Sequence, residues 1–108
     1  MSHEAHYQTG MEHFAEDRLD EAIAELQKAV DLDPDYGDAV HALAMCHYHQ
    51  GAFDKALEVG KRLVELEPSN PLAYTTLSMV YNAKGMTKEA EEMGAKAGAA
   101  APPPEKDE

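Results

Sequence analysis

The stretch DRLDEAIAELQKAVDLDP, residues 17–34, decides the fold because related copies follow it. It returns as GAFDKALEVGKRLVELEP at residues 51–68 and, less closely, as GMTKEAEEMGAKAGAAAP at residues 85–102. Each copy starts 34 residues after the one before it. A constant period of about 20 to 50 residues is typical of a solenoid, in which each unit packs only on its neighbours. The three copies therefore predict a linear array of equivalent units.

Each copy has the apolar spacing of a helix that buries one face. In the first copy the stripe recurs at helical intervals, as at Ala22, Leu26 and Val30. The aspartates Asp20 and Asp54 stand near the starts of the first two stripes, where we expect them to cap the helices. Each copy ends in a proline, and we expect the helix to end before it because proline cannot continue a helix. Each copy is therefore predicted to be one helix.

A second helical segment precedes each copy, at residues 4–15, 38–50 and 71–84. Asn70 before Pro71 is a helix start in which an N-cap residue is followed by proline at the first helical position. Gly51 and Gly85 mark short turns within the pairs. The sequence thus predicts an all-α fold, an antiparallel helix-pair solenoid of six helices. Gly60 and Gly94 occupy the place of Leu26 in the later copies, which predicts close backbone approaches there.

Composition limits the possible partners. The formal net charge is −12, from 21 acidic and nine basic residues, which disfavours nucleic acid and anionic membrane surfaces as partners. A single cysteine, Cys46, excludes an internal disulfide and suits a reducing compartment. No stretch has the pattern of a signal peptide or the length of a membrane span. We therefore expect a cytoplasmic protein whose charged partners are cationic.

The repeat resembles the tetratricopeptide repeat, whose pattern runs W-x2-L-G-x2-Y, then A-x3-F, then P. The third unit fits the first half of the pattern best, and the residues in the W, L, G and Y positions are Tyr74, Leu77, Ser78 and Tyr81. The second unit offers Val40, Leu43, Ala44 and His47 at these positions, and the first offers His6, Thr9, Gly10 and His13. The resemblance implies a superhelix of three repeats, at residues 3–36, 37–70 and 71–102. The third repeat is degenerate, and residues 103–108 are predicted to be a disordered acidic tail.

In the family that the chain resembles, the first helices of the pairs line a concave groove that binds peptides or helices of partner proteins. Carried over by motif, the expected groove residues are Tyr7, Met11, Phe14, Asp38, His41, Met45, Tyr48, His49, Thr75, Met79 and Asn82. Met11, Met45 and Met79 recur at the repeat period and are expected to form a row, since methionine adapts to varied partners. The alternative is that they fill gaps between neighbouring helices.

One subclass of the family holds a partner's terminal carboxylate with basic and amide side chains. This chain departs from that pattern, because the groove segments contain no Lys or Arg before Lys84. A carboxylate would lose its hydration there for little return. We expect instead an amphipathic or basic helix or peptide in a mildly acidic groove lined by methionine and aromatic side chains.

Two alternatives come from other features of the chain. The segment 41–49, HALAMCHYH, places His41, Met45 and His49 on one helical face, a donor set that suits copper or zinc and predicts a metal-responsive scaffold. The weakly apolar last helix predicts a self-assembling module, with a weak homodimer as the expected form. We expect Cys46 to be an unreactive packing residue. The acids of the second helices are expected to form a solvated convex face, at Glu21, Glu25, Asp31, Glu58, Glu65, Glu91 and Glu92. No catalytic motif and no cofactor-binding fingerprint is present, so an enzyme is not expected.

Overall fold

The structure is a computed structural model that describes residues 2–100. Within that range the chain forms six α-helices and no strand. They are α1 His3–Ala15, α2 Leu19–Leu32, α3 Gly37–His49, α4 Phe53–Leu66, α5 Pro71–Ala83 and α6 Thr87–Ala100. The predicted all-α fold of six helices is confirmed, with one antiparallel pair in each predicted repeat. The exact repeat boundaries stay predictions, and the predicted tail at residues 103–108 lies outside the described residues.

The start of α5 forms as its sequence predicts. The side chain of Asn70 accepts a hydrogen bond from the Leu72 amide at 3.0 Å, and Pro71 follows as the first helical residue. The capping role expected of Asp20 is wrong, because α2 already begins at Leu19. Asp20 lies inside the first turn, where an acidic group still complements the positive end of the helix dipole.

The same correction applies to Asp54, which lies in the first turn of α4. Both aspartates reach the end of the first helix of the next pair. Asp20 accepts a hydrogen bond from the side chain of Gln50, and Asp54 accepts one from the ammonium of Lys84. The two donor positions are one repeat period apart, and so are the two acceptor positions. These contacts therefore connect successive repeats in the same way.

The turns within the pairs require a left-handed backbone. Gly51 and Gly85 have φ of 80° and 77°, as expected of glycine at these turns. Asp17 holds the equivalent position in the first repeat with φ of 62°. Aspartate is one of the few other residues that tolerate this conformation.

The core consists of three clusters that run along the array. The first is Ala22, Leu26, Ala42, Leu43 and Cys46, the second is Val40, Leu63 and Ala73, and the third is Leu77, Tyr81 and Ala90. Val30 and Val59 pack on both the first and second clusters, and Val64 packs on the second and third. The clusters are thus continuous, as stacking of repeats requires.

The predicted close approach at Gly60 is confirmed, whereas the one at Gly94 is wrong. A Cβ added at Gly60 would lie 2.9 Å from Leu77 Cδ2, which is too close. A Cβ at Gly94 would meet only Ser78 Oγ, at 3.7 Å, which is ordinary van der Waals contact. The backbone of α4 at Gly60 therefore approaches α5 more closely than the backbone of α6 does at Gly94.

Glu25 is also placed differently from expectation. Its side chain is only 20% exposed, and its Oε2 lies 2.6 Å from His6 Nδ1. This hydrogen bond lowers the pKa of the Glu25 carboxyl more than partial burial raises it. Glu25 therefore connects α2 to α1 instead of belonging to a fully solvated face.

The arrangement of the helices gives the array a concave side. The first helices of the pairs are direct neighbours, α1 with α3 and α3 with α5, whereas the second helices α2 and α4 do not approach each other this closely. A curved layer is tighter on its inner side, so α1, α3 and α5 line the concave surface. No helix among residues 2–100 has the length and apolar character needed to cross a membrane.

Candidate functional site

The middle of the concave surface is a row of methionines. Met11, Met45 and Met79 occupy the same position in α1, α3 and α5, and each is half-buried. Met11 also packs on the first core cluster. Met11 therefore combines core contact with an accessible remainder, so the two interpretations of the sequence are compatible at this position.

One end of the groove between α1 and α3 carries two tyrosines. The ring centroids of Tyr7 and Tyr36 are 5.2 Å apart with the planes tilted by 53°. His3 meets Tyr36 edge-on, with centroids 5.1 Å apart. Tyr7 lies on α1, whereas Tyr36 is the residue just before α3. We call this group, Tyr7 and Tyr36, the tyrosine pair.

The other end of the same groove is also aromatic. Phe14 of α1 lies against His49 of α3, with ring centroids 5.6 Å apart. His49 contacts Tyr48 at 5.4 Å, and Tyr48 contacts Phe53 of α4 at 5.8 Å. The structure thus brings Phe14, Tyr48 and His49 together, as a shared groove requires. His41, between the two ends on α3, is half-buried.

The third repeat contributes a more polar and open part of the groove. Thr75 and Asn82 are exposed on α5, and Thr75 Oγ1 donates a hydrogen bond to the Pro71 carbonyl at 3.0 Å. Leu72 is 56% exposed in the first turn of the same helix.

Carboxylates concentrate at the tyrosine pair. Asp38 is exposed in the first turn of α3, and Glu4 stands in the first turn of α1. The pKa of Tyr36 is raised first by partial burial and then by Tyr7 and the charges of Asp38, Glu4 and Asp33. The pKa of Tyr7 is raised by burial and by Asp38. This end of the groove is therefore negatively charged.

Sequence reasoning missed Tyr36, His3 and Asp33 as members of this site. The motif assigns groove positions only within the first helices, whereas Tyr36 and Asp33 lie in the connection between repeats. One observation was available from the sequence alone: Tyr36 immediately precedes Gly37, the start of the second repeat. A large aromatic at such a junction has few places to pack except across the neighbouring first helix.

Among the described residues, the structure adds no metal-ligating side chain to the set of His41, Met45 and His49. Within residues 2–100 no three His, Cys, Asp or Glu side chains come close enough together to hold a metal ion. Cys46 is fully buried in the first core cluster, and burial raises the pKa of its thiol to about 11. His47 is buried beside it in sequence, so neither residue faces the groove.

A second concavity lies on the outer side, in the gap between α2 and α4. It has a volume of about 310 Å³. Its walls are mainly aliphatic, with polar side chains at the rim; the lining residues are Gln27, Val30, Val40, Leu43, Glu58, Val59 and Arg62. Val40 stands where the third repeat has Tyr74, so the cleft opens at the position that the repeat pattern fills with an aromatic ring.

The repeat geometry agrees with the comparisons with known proteins. A family model described as tetratricopeptide repeat matches residues 7–71. The chain belongs to the tetratricopeptide repeat family. Among curated proteins, no relative matches the chain.

Solved structures of this family are similar over nearly the whole chain. A crystal structure of MamA is 32% identical, with a TM-score of 0.88, over 92% of this chain and 58% of MamA. YrrB, titled a TPR protein with an unusual peptide-binding site, is 25% identical, with a TM-score of 0.88, over 93% of this chain and 52% of YrrB. The chain thus spans a little more than half the length of these relatives.

A third structure supports the fold. The first TPR of Spaghetti (RPAP3), bound to the HSP90 peptide SRMEEVD, is 21% identical with a TM-score of 0.88. The match covers 92% of this chain and 79% of that one. The solenoid of three helix pairs is therefore common to proteins with widely diverged sequences.

Proposed function

We propose that this chain is a protein-interaction module that binds an amphipathic or basic helix or peptide of a partner protein in its concave groove. The observation that carries the proposal is the row of Met11, Met45 and Met79, half-buried at equivalent positions of three adjacent helices. A row of this kind offers an apolar, deformable surface about three helices wide. The peptide-binding site named for YrrB supports a peptide ligand for a related fold.

The flanking side chains support a specific class of ligand. Aromatic groups at both ends of the groove between α1 and α3 supply contact area at little cost in side-chain entropy. The formal net charge of −12 and the exposed Asp38 favour a partner of positive charge. Family members generally act through such contacts and not through catalysis, and we propose the same non-enzymatic role here, in the cytoplasm.

The proposal is tested by the substitution Met45→Glu, which places a charge at the centre of the row. Proteins retained from a native lysate by the wild-type chain should be lost with Met45→Glu, while the far-ultraviolet circular dichroism of the variant stays near that of the wild type. Because position 45 is only half-buried, the carboxylate introduced by Met45→Glu can remain hydrated without unfolding the helix. A matched control, Glu91→Gln on the exposed surface of α6, should retain the same proteins.

Two results would overturn the proposal. If Met45→Glu retains the wild-type set of proteins, the row is not the binding surface. If Met45→Glu loses its helical spectrum or unfolds at a much lower temperature, Met45 is a core residue and the groove assignment is wrong.

A further inference from the structure

We propose that the tyrosine pair at the end of the groove receives an arginine side chain of the partner, held between the ring faces and the carboxylates around them. The inference rests on the proposed function, because it assigns one residue type of the partner to one place in the groove. It goes beyond a general preference for basic partners, since it locates the recognition at Tyr7 and Tyr36.

The geometry of the rings supports a planar cation. Tyr7 and Tyr36 are both half-buried, with ring centroids 5.2 Å apart and planes tilted by 53°. Two tilted rings form an open angle instead of a closed stack. A cation within about 6 Å of a ring centroid is attracted by the negative face of the ring. A guanidinium is flat and weakly hydrated, so it stacks on such a face more readily than an ammonium does.

The carboxylates supply the second half of the recognition. His3 Nε2 lies 3.9 Å from Glu4 Oε1 and 3.7 Å from Asp33 Oδ2, so both acids flank the ring that His3 touches. The Glu4 side chain is 73% exposed and that of Asp33 is 40% exposed, which leaves their oxygens available to a ligand. Asp38 is exposed on the neighbouring helix.

Among residues 2–100 the basic side chain that lies beside Glu4 and Asp33 is the imidazole of His3, which is a cation only when protonated. Among residues 2–100 no Lys or Arg forms an ion pair with Glu4, Asp33 or Asp38. The nearby Asp35, by contrast, pairs with Arg62. Burial is the main cause that raises the pKa of Tyr36, followed by Tyr7, and the charges of Asp38, Glu4 and Asp33 raise it further. The surface is thus complementary in charge to a cation that must come from elsewhere.

An arginine side chain can contact the tyrosine rings and the carboxylates at the same time. Its guanidinium can lie on a tyrosine face while its edge donates hydrogen bonds to a carboxylate. A peptide that carries glutamate in place of arginine would be repelled by the same carboxylates.

The test uses a capped amphipathic peptide helix of leucine, alanine and arginine, with a fluorescent label, titrated into the full chain. A matched peptide carries citrulline at each arginine position, which keeps the shape and removes the charge. For the wild-type chain the arginine peptide should bind about tenfold more tightly than the citrulline peptide. Saturable binding of a third peptide, with glutamate at each arginine position, at the same affinity as the arginine peptide would overturn the inference.

Variants of the chain locate the effect. Tyr36→Leu should weaken binding of the arginine peptide by about twofold to tenfold, and Asp38→Asn should weaken it by about twofold to fivefold. Neither variant should change the affinity for the citrulline peptide. Glu91→Gln changes the net charge as Asp38→Asn does, but it lies on the exposed surface of α6 and should leave both affinities unchanged. Circular dichroism of each variant checks that its fold is retained.

Failure of this inference and failure of the proposed function give different results. If Met45→Glu abolishes binding of the arginine peptide while Tyr36→Leu and Asp38→Asn leave it unchanged, the groove stands and the arginine site is wrong. If the wild-type chain binds the arginine and citrulline peptides equally, the arginine site is also wrong. The proposed function is then decided by the retained proteins alone.

Discussion

At the scale of single residues, two histidines take a position that the repeat pattern gives to tyrosine. His13 and His47 hold this position in the first and second repeats, where the third has Tyr81. Within residues 2–100 the Nδ1 atoms of His13 and His47 are buried without a hydrogen-bond partner. A buried polar atom without a hydrogen-bond partner costs free energy, so each of these two histidines lowers the free energy of unfolding.

His47 makes the stability of the fold depend on pH. Burial lowers the pKa of its imidazole below the ordinary value of 6.5, Lys55 of α4 lowers it further, and Glu58 acts in the opposite direction. The unfolded chain therefore binds the proton more readily than the folded chain does. The contribution of His47 to stability is complete above the unfolded pKa and declines as the pH falls from there towards the folded pKa.

We predict that His47→Tyr reduces this dependence. The free energy of unfolding, measured with urea at a series of pH values from neutral downward, should fall less steeply for His47→Tyr than for the wild type. The matched control is His49→Gln, which replaces an exposed histidine of the same helix and leaves the buried imidazole of His47 in place. An unchanged slope in His47→Tyr would show that other groups determine the pH dependence.

At the scale of the helices, α4 and α6 are equivalent in sequence position but pack differently. In α4, Gly60 faces Leu77, which is buried in the third core cluster. In α6, Ala90 is the buried residue, and Gly94 has room for a methyl group. A hydrogen bond from Ser78 Oγ to the Ala90 carbonyl, 2.8 Å long, helps to hold α6 on α5.

The same substitution should therefore have opposite effects in the two helices. Gly94→Ala should stabilise the protein by about 0.5 to 1 kcal/mol, because alanine has the higher helix propensity. Gly60→Ala should destabilise it by about 1 kcal/mol, because the displacement of buried Leu77 outweighs the same gain. Unfolding by urea measures both changes. Stabilisation by Gly60→Ala would mean that Leu77 moves aside freely and that α4 does not need a glycine there.

The helices could be predicted from sequence because their cause is periodic and local. The apolar stripe around Leu26, the start at Asn70 and the turns at Gly51 and Gly85 each specify structure within a few residues. The incorrect details were those that depend on packing between units. Nothing within α6 indicates that Gly94 has free space, since that depends on how far α6 lies from Ser78. The His6–Glu25 hydrogen bond likewise joins two helices whose relative rotation the sequence does not specify.

The candidate site was predictable to the same extent. Positions within the first helices follow from the repeat, so Tyr7, Phe14 and His49 could be assigned to one surface before their contacts were known. Tyr36 could not, because it lies outside the helices and its ring position depends on the turn between repeats. The site residues themselves stay predictions until binding is measured.

At the scale of the whole molecule, the array combines strong negative charge with a few exposed apolar groups. The formal net charge of −12 opposes association between copies. Leu32 and Leu72 nevertheless expose 57% and 56% of their surface, and Met93 and Ala97 on α6 are only half-covered. Apolar contact and charge repulsion thus act in opposite directions on self-association.

We predict a weak dimer whose population rises with salt. Salt screens the repulsion between copies over about 8 Å at physiological ionic strength, while it leaves apolar contacts in place. Binding of a cationic partner should show the opposite response and weaken as salt is added. Sedimentation over a hundredfold range of concentration, at low and at high salt, separates these two kinds of association.

Leu72→Gln should shift the equilibrium towards monomer if α5 forms the contact, and Leu32→Gln should do so if the end of α2 forms it. A single species of 11.8 kDa at the highest concentration and highest salt would show that the exposed leucines do not mediate self-association.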